Sequence, residues 1–338
     1  MDAYKSVINK FIQLVIAEGT PPPIVAHRAA VLFETMRYTT VLERKGMGMA
    51  VLSKLFPKFK FPVELVSGAE VVIAQHPEPQ QEPYIINTST DWAPTLPLYQ
   101  GAALPSWGNT KPFAIDLAIA KKFIGSGIGE PTVGSIGTVY ELGRAVDNPT
   151  EEQAKNIEIA TFWAGNGGTC TPPGQFIEIA LQLAEAANLS DEQVALFFHR
   201  LGVAIADAGI AAWKIKYAQK IRRPIDIINS TIDKTWKPFI ATPNHPTFPS
   251  GHSTFSSAAG EIIKHMIGNV PFSYTSVIHV NGLPFDSVKI TRSFENIDQA
   301  IIEAGYSRIL GGIHFTADDV NGRELGKLVA KEVTAKIK

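Results

Sequence analysis

The sequence predicts an all-α protein, built as helix bundles with long connecting loops. Apolar residues recur at helical spacing over many segments, most densely after residue 150. Strand signals are few, and TSVIHV at 275–280 is the best short candidate. The chain has 338 residues, 45% hydrophobic and 19% charged. That excludes a disordered chain and suffices for one large or two modest domains with buried cores.

In the first element, residues 4–18, Val7, Ile8, Phe11, Ile12, Val15 and Ile16 fall on one helical stripe. Pro21–Pro23 interrupt it, and residues 24–42 again read as helix. Residues 69–112 are rich in Pro, Gly and Thr and predict a long excursion with little regular structure. Helical pattern resumes over 113–124. At PTEEQ (149–153) two early acids follow Thr150, a helix start with Thr150 as cap. Helices are then expected over 151–164, 174–188, 190–221, 252–267, 294–305 and 316–335. The layout is a single unit over 1–338. Roughly 1–150 supplies helices and long loops, and roughly 151–338 a catalytic helix bundle.

Thirty-one Lys and Arg against 32 Asp and Glu leave a net charge of −1, with no electrostatic footprint for nucleic acid or an anionic membrane. One cysteine, Cys170, makes neither an internal disulfide nor a thiolate metal site. No apolar run appears long enough to span a bilayer: Phe113–Ile124 is broken by Asp116 and two lysines, and Leu201–Trp213 by Asp207. The N-terminus lacks the apolar core of a signal peptide, so the expectation is a cytoplasmic protein or a mature secreted form.

Three clusters stand out. In the first, Lys216 and Arg223 lie seven apart before Pro224, which reads as two turns of one helix ended by the proline. A solvated basic helix end is the bland alternative. The second is His245-Pro-Thr-Phe-Pro-Ser250-Gly251-His252. There a helix start would leave the Ser250 and Gly251 N–H groups free for an anion, with His252 beside it. An ordinary N-cap with an incidental histidine fits as well. The third is Ser307-Arg308 followed by His314 and Asp318. If a helix begins near Thr316, Asp318 can hold the His314 ring, although a surface His and a dipole-favoured Asp also satisfy the pattern. Together these are three cations, a helix-opening Ser-Gly pair and two histidines, with no carboxylate cluster for a hard cation. Such a set suits a compact polyanion: phosphate, sulfate or vanadate.

KYAQKIRRP, FPSGH and SRILGGIHFTAD fit K-x6-R-P, P-S-G-H and S-R-x5-H-x3-D in that order, with gaps of 24 and 54 residues. This resembles the tripartite signature of the vanadium-dependent haloperoxidases and the related acid phosphatases. TDWAPTLPLY, PSWGNTKPF and FWAGNGGTCTPPGQF extend the resemblance over roughly 90–338. Asn166 departs from it, standing where some relatives carry an acid that orders an active-site arginine.

The resemblance implies that Lys216, Arg223, Ser250, Gly251 and Arg308 hydrogen-bond vanadate oxygens. His314 would be the one covalent ligand to vanadium, with Asp318 behind it. His252 would be the acid–base group at the opposite apex, with Trp213 an aromatic wall nearby. It implies oxidation of bromide or iodide by hydrogen peroxide to a hypohalous-acid equivalent, with Lys216 polarising the peroxide and a small organic acceptor halogenated. His245 is similar in position to a histidine of bromoperoxidases, where chloroperoxidases carry phenylalanine. The alternative is an acid phosphatase acting through a phosphohistidine at His314, since phosphate or sulfate fits the same pocket. The chain carries no nucleotide-binding glycine motif, and its oligomeric state, a homo-oligomer included, is left open.

Overall fold

The computed structural model describes residues 1–59, 74–95, 100–166, 168–279 and 287–338. Residues 69–73 of the expected excursion, 96–99 of TDWAPTLPLY, Gly167 and Val280 lie outside them.

Helix α1 (Asp2–Glu18) ends at Gly19, whose φ of 68° supplies the left-handed cap that glycine adopts without strain. Helix α2 (Pro22–Arg37) starts on the prolines, because a first-turn proline loses no hydrogen bond. The chain turns after Arg37, short of residue 42, and a separate α3 spans Arg44–Leu55. The described part of 74–112 holds little regular structure beyond a 3-10 turn at Trp107–Asn109. The expected 113–124 helix is a 3-10 helix, Leu117–Phe123. Helix α4 (Val133–Leu142) was not legible in a stretch with five glycines across 125–137.

The second half follows its caps. Helix α5 (Glu151–Phe162) opens with Thr150 and Gln153 in a reciprocal capping box, and α7 (Asp191–Gln219) opens likewise with Ser190 and Gln193. Between them lies α6 (Thr171–Ala186). Helix α7 is buried nearly all round, with Gly202 against Ala30 and Phe33 and Gly209 against Phe255. Contrary to the sequence reading, the stretch Asp191–Thr231 is long and apolar enough to cross a membrane by composition, but 94% of the qualifying window is buried inside the fold. It is a core helix.

Helix α7 ends at Lys220, in left-handed conformation, and Pro224 starts the next helix, α8 (Pro224–Thr231). Lys216 and Arg223 therefore do not share one helix face: Arg223 is the residue before α8, in extended conformation. A proline that cannot continue a helix opens one equally well. Helix α9 is Gly251–Met266. An antiparallel pair follows, β1 (Phe272–His279) against β2 (Ser287–Phe294), with Thr275 opposite Thr291. The expected 294–305 helix is displaced into α10 (Ile297–Leu310), because β2 runs on to Phe294. Helix α11 spans Thr316–Lys336.

One hydrophobic cluster runs from Tyr4 and Phe11 through Phe198 and Ala212 to Val333, so both halves of the chain share a core. The approach of α9 to α11 matters most for the site. A Cβ on Gly322 would stand 2.8 Å from the Ser250 carbonyl, and one on Gly326 2.4 Å from the Thr254 carbonyl. Glycine lets the two helices touch along their backbones. We expect Gly326→Ala to lower stability by about 1–3 kcal/mol, as overpacking of a close contact does. Urea unfolding checks this, and a midpoint unchanged at equal slope would show that the helices can separate freely.

Candidate active site

Three buried cations stand at helix ends, with Arg223 close enough to repel both Lys216 and Arg308. Lys216 lies one turn from the end of α7, Arg223 precedes α8 and Arg308 lies in the last turn of α10; each is at most 1% exposed. Lys216 Nζ donates to the carbonyls of Pro246 (2.8 Å) and Thr247 (2.9 Å). Arg223 donates to the carbonyls of His245 (2.9 Å) and Ile313 (2.7 Å). Arg308 donates to the Ala160 carbonyl (2.9 Å), at the end of α5 where helix carbonyls lack partners, and to Ser307 Oγ (3.1 Å). Where the sequence lacks an acid at Asn166, main-chain carbonyls order this arginine. None of the three forms an ion pair among the described residues, and the buried carboxylate nearest in charge terms is Asp318. Burial pushes Arg308 down to about 9, with Arg223 adding repulsion, and pushes Arg223 down to about 10. Lys216 is lowered by the same burial and by Arg223.

His314 stands between Arg223 and Asp318. Arg223 Nη1 lies 3.1 Å from its Nε2, and a guanidinium can only donate. Nε2 therefore carries the lone pair and Nδ1 the hydrogen. Nδ1 faces Asp318 Oδ2 at 2.9 Å and Thr247 Oγ1 at 3.1 Å. Oδ2 also accepts from Thr247 Oγ1 (2.5 Å) and the Phe315 N–H (2.9 Å). Burial raises the Asp318 carboxyl, but donors converging on one oxygen favour its ionised form, as do Lys216 and Arg223. His314 is held neutral by burial and by the cations beside it. The tautomer thus has a physical cause: a cation on one ring nitrogen and an anion on the other.

His245 obeys the same logic. Arg223 Nη2 donates to its Nδ1 (3.0 Å), so its nearby Pro246 carbonyl receives no proton from that nitrogen. Its ring sits 5.0 Å from Trp213, and Trp213 Nε1 donates to the Ala103 carbonyl. His252, in the first turn of α9, donates from Nε2 to the Trp163 carbonyl (3.0 Å), which leaves Nδ1 as its basic nitrogen. Burial and Arg308 lower its pKa, and burial, Lys216 and Arg223 lower that of His245.

At the α9 N-terminus Ser250 Oγ caps the Ser253 N–H. The Ser250 N–H itself is not free, because it donates to the Asp318 carbonyl (2.9 Å). This corrects the expectation of a Ser250–Gly251 amide pair. The first intrahelical bond is Thr254 to Ser250, so the Gly251 and His252 N–H groups lack helical acceptors. A cavity of about 600 Å³ is lined by Trp213, His245, Gly251, His252, Arg308 and His314. Lys216, Arg223, Ser250 and Asp318 are not among the described lining residues; Arg223 and Asp318 are hydrogen-bonded to His245 and His314, which are. Sequence reasoning missed Thr247, which is fully buried and ties His314 to Asp318, although it lay inside the HPTFPSGH segment.

Among the described residues no three His, Cys, Asp or Glu side chains converge as a chelating set. A metal would enter this site as an oxyanion. Three buried cations against one carboxylate, a helix N-terminus and one inward imidazole lone pair fit vanadate or phosphate.

The fold and the site together are similar to those of the vanadium-dependent haloperoxidases. Residues 196–338 match the family model for the VCPO second helical-bundle domain. A vanadium chloroperoxidase of Curvularia inaequalis is 23% identical across 53% of this chain and 38% of its own length, so the chain spans well under half of that relative. A bacterial vanadium-dependent iodoperoxidase aligns with a TM-score of 0.78 over 100% of this chain and 96% of its own, at 21% identity. An apo-type bacterial vanadium-dependent chloroperoxidase aligns at 0.64 over 92% of each chain, at 12% identity. These structural likenesses show the shared fold.

Inorganic phosphate should raise stability by about 2.7 kcal/mol at a hundred times its Kd. Anion binding favours charged Arg308 and Arg223, so above about pH 9 binding must take up protons and affinity falls as pH rises. Thermal unfolding with and without phosphate at pH 7.5 and 9.5 checks this; a shift that grew with pH would contradict it. Thr247→Val should weaken phosphate binding about 10-fold, as loss of a group behind a ligand does, with the fold kept. Titration calorimetry reads the change.

Proposed function

We propose that this chain is a vanadate-dependent haloperoxidase that oxidises bromide or iodide with hydrogen peroxide, and that small organic acceptors take up the halogen. The observation that carries the reading is the buried charge imbalance around His314: Lys216, Arg223 and Arg308 against Asp318, with the His314 lone pair facing Arg223 in the same cluster. The relatives bearing the same fold are named for vanadium-dependent halide oxidation.

When bound, vanadate supplies a Lewis-acidic V(V) centre that activates hydrogen peroxide for two-electron oxidation of halide. His314 Nε2 would hold the metal. The donors of Lys216, Arg223 and Arg308, the Gly251 N–H and the Ser250 hydroxyl would hold the oxygens. Asp318 and Thr247 fix the ring that His314 presents. His252 Nδ1, neutral because of burial and Arg308, accepts a proton from incoming peroxide and returns it to the leaving oxygen. Lys216, wedged against two carbonyls, adds positive charge beside the oxygen that must leave. Trp213 keeps that ammonium out of water, with Nζ 5.8 Å from its ring.

The same groups suit phosphoryl transfer, with His314 attacking phosphorus. Vanadate separates the two, since it activates a haloperoxidase and inhibits a phosphatase. The test is bromination of a phenol-type acceptor after vanadate loading, set beside phosphate release from a generic ester. Ester hydrolysis that vanadate suppresses, with no bromination, would overturn the proposal. His314→Ala should lose vanadate binding and bromination together; unchanged vanadate affinity would refute the ligand assignment.

His245 bears on the halide. Its ring is tied to Arg223 and Trp213, so a polar, hydrogen-bonding group lines the cavity where phenylalanine would keep it drier. We expect bromide and iodide turnover with little chloride turnover. Peroxide-dependent halogenation measured separately in each halide from mildly acidic to neutral pH decides this, and comparable chloride turnover would remove the role given to His245.

A further inference from the structure

The cavity beside His314 is larger than its proposed chemistry needs. An oxyanion, one peroxide and one halide occupy about five water volumes, about 150 Å³ in all. The cavity holds about 600 Å³. Much of the remaining wall is apolar and stiff: Trp213, Phe255, Leu104 and prolines such as Pro22, Pro172 and Pro243 line it. Cavities of a few hundred Å³ with such walls are sites for organic ligands. Prolines hold the walls without further loss of chain entropy on binding.

Charge narrows the ligand class. Among the described lining residues Arg308 is the one Lys, Arg, Asp or Glu side chain. None of these described lining residues is a carboxylate that would receive an ammonium, and Arg308 is committed to the oxyanion. Near the mouth, where Gln100, Asn166 and Ala241 are exposed, amide groups can take a hydroxyl or ring N–H.

We infer that this cavity seats the organic acceptor itself, an uncharged aromatic of one or two rings, so that halogen is transferred inside the cavity rather than by an oxidant released to solvent. The inference rests on the haloperoxidase reading. In the transfer, halide gives two electrons to peroxide, whose O–O bond breaks. One oxygen leaves as water with the added proton, and the other stays with the halogen as the hypohalous-acid equivalent. The ring carbon forms the new bond to halogen and releases its proton, which with the remaining oxygen and its hydrogen leaves as a second water. Overall, acceptor, halide, hydrogen peroxide and one proton give the aryl halide and two waters.

1-Naphthol is the probe, because it brominates at either of two ring positions. Ala241 is exposed at the mouth and outside the proposed catalytic set, so Ala241→Trp narrows entry without touching the cations or histidines. Titration calorimetry with vanadate-free protein should show saturable 1-naphthol binding, about tenfold weaker in Ala241→Trp. With vanadate, peroxide and bromide, the natural chain should give a ratio of 2-bromo to 4-bromo product different from that made by hypobromous acid in buffer. Ala241→Trp should return the ratio to the buffer value while oxidising iodide to triiodide at an unchanged rate. Absence of saturable binding, equal affinity in Ala241→Trp, or a buffer-like ratio from the natural chain would each overturn the inference. If the vanadate-loaded protein oxidised no halide, the haloperoxidase reading would fall, and the binding measurement would still decide what the cavity holds.

Discussion

The constraint on which the rest of this structure depends is buried positive charge. Lys216, Arg223 and Arg308 are taken out of water together, and burying an unpaired cation costs several kcal/mol even after relaxation. The fold offsets that cost with oxygen dipoles rather than carboxylates. Carbonyls of Ala160, His245, Pro246, Thr247 and Ile313 each accept from one of the three. Carbonyls solvate a cation but leave its charge uncancelled, so the pocket retains a strong field for an anion. Carboxylates in those places would have made a stable, inert core.

Asp318 supplies the buried counter-charge, and its position couples chemistry to architecture. Its side chain orients His314 through Nδ1, and its carbonyl takes the Ser250 N–H at the start of α9. One residue thus sets the histidine tautomer and docks the helix whose first turn supplies Gly251 and His252. That docking needs α9 and α11 almost in backbone contact, which Gly322 and Gly326 permit. A larger residue there would displace the anion-binding helix end relative to the imidazole.

Much of the helical layout was legible because helix caps and periodicity are local. Thr150, followed by two early acids, marked a helix start that the structure reproduces as a capping box with Gln153, whereas periodicity alone placed the helix that Ser190 and Gln193 open in the same way. What was misread also has a local cause. Prolines can end a helix or begin one, and only the packing of neighbours decides; Pro22 and Pro224 both begin one. Helix α4 was hidden by glycines, which weaken any helical signal. The apolar length of α7 looked interrupted by Asp207, yet that carboxylate is buried and accepts the N–H groups of Phe113, Ala114 and Ile115. An acid inside an apolar helix was a tertiary anchor, invisible without its partners.

The candidate site divides in the same way. The sequence alone determined which chemical groups are present and their order: three cations, a Pro-Ser-Gly-His helix start, and a histidine four residues before an aspartate. Residue type and short spacing suffice for that, because each motif makes its own local bonds. Only the tertiary structure decided that Arg223 faces His314 rather than sharing a helix face with Lys216. It also decided that Ser250 spends its N–H on Asp318, and that Thr247 joins the histidine to its acid. These are contacts between groups as many as 91 residues apart, and a hydrogen bond's partner is chosen by where packing leaves an acceptor unsatisfied.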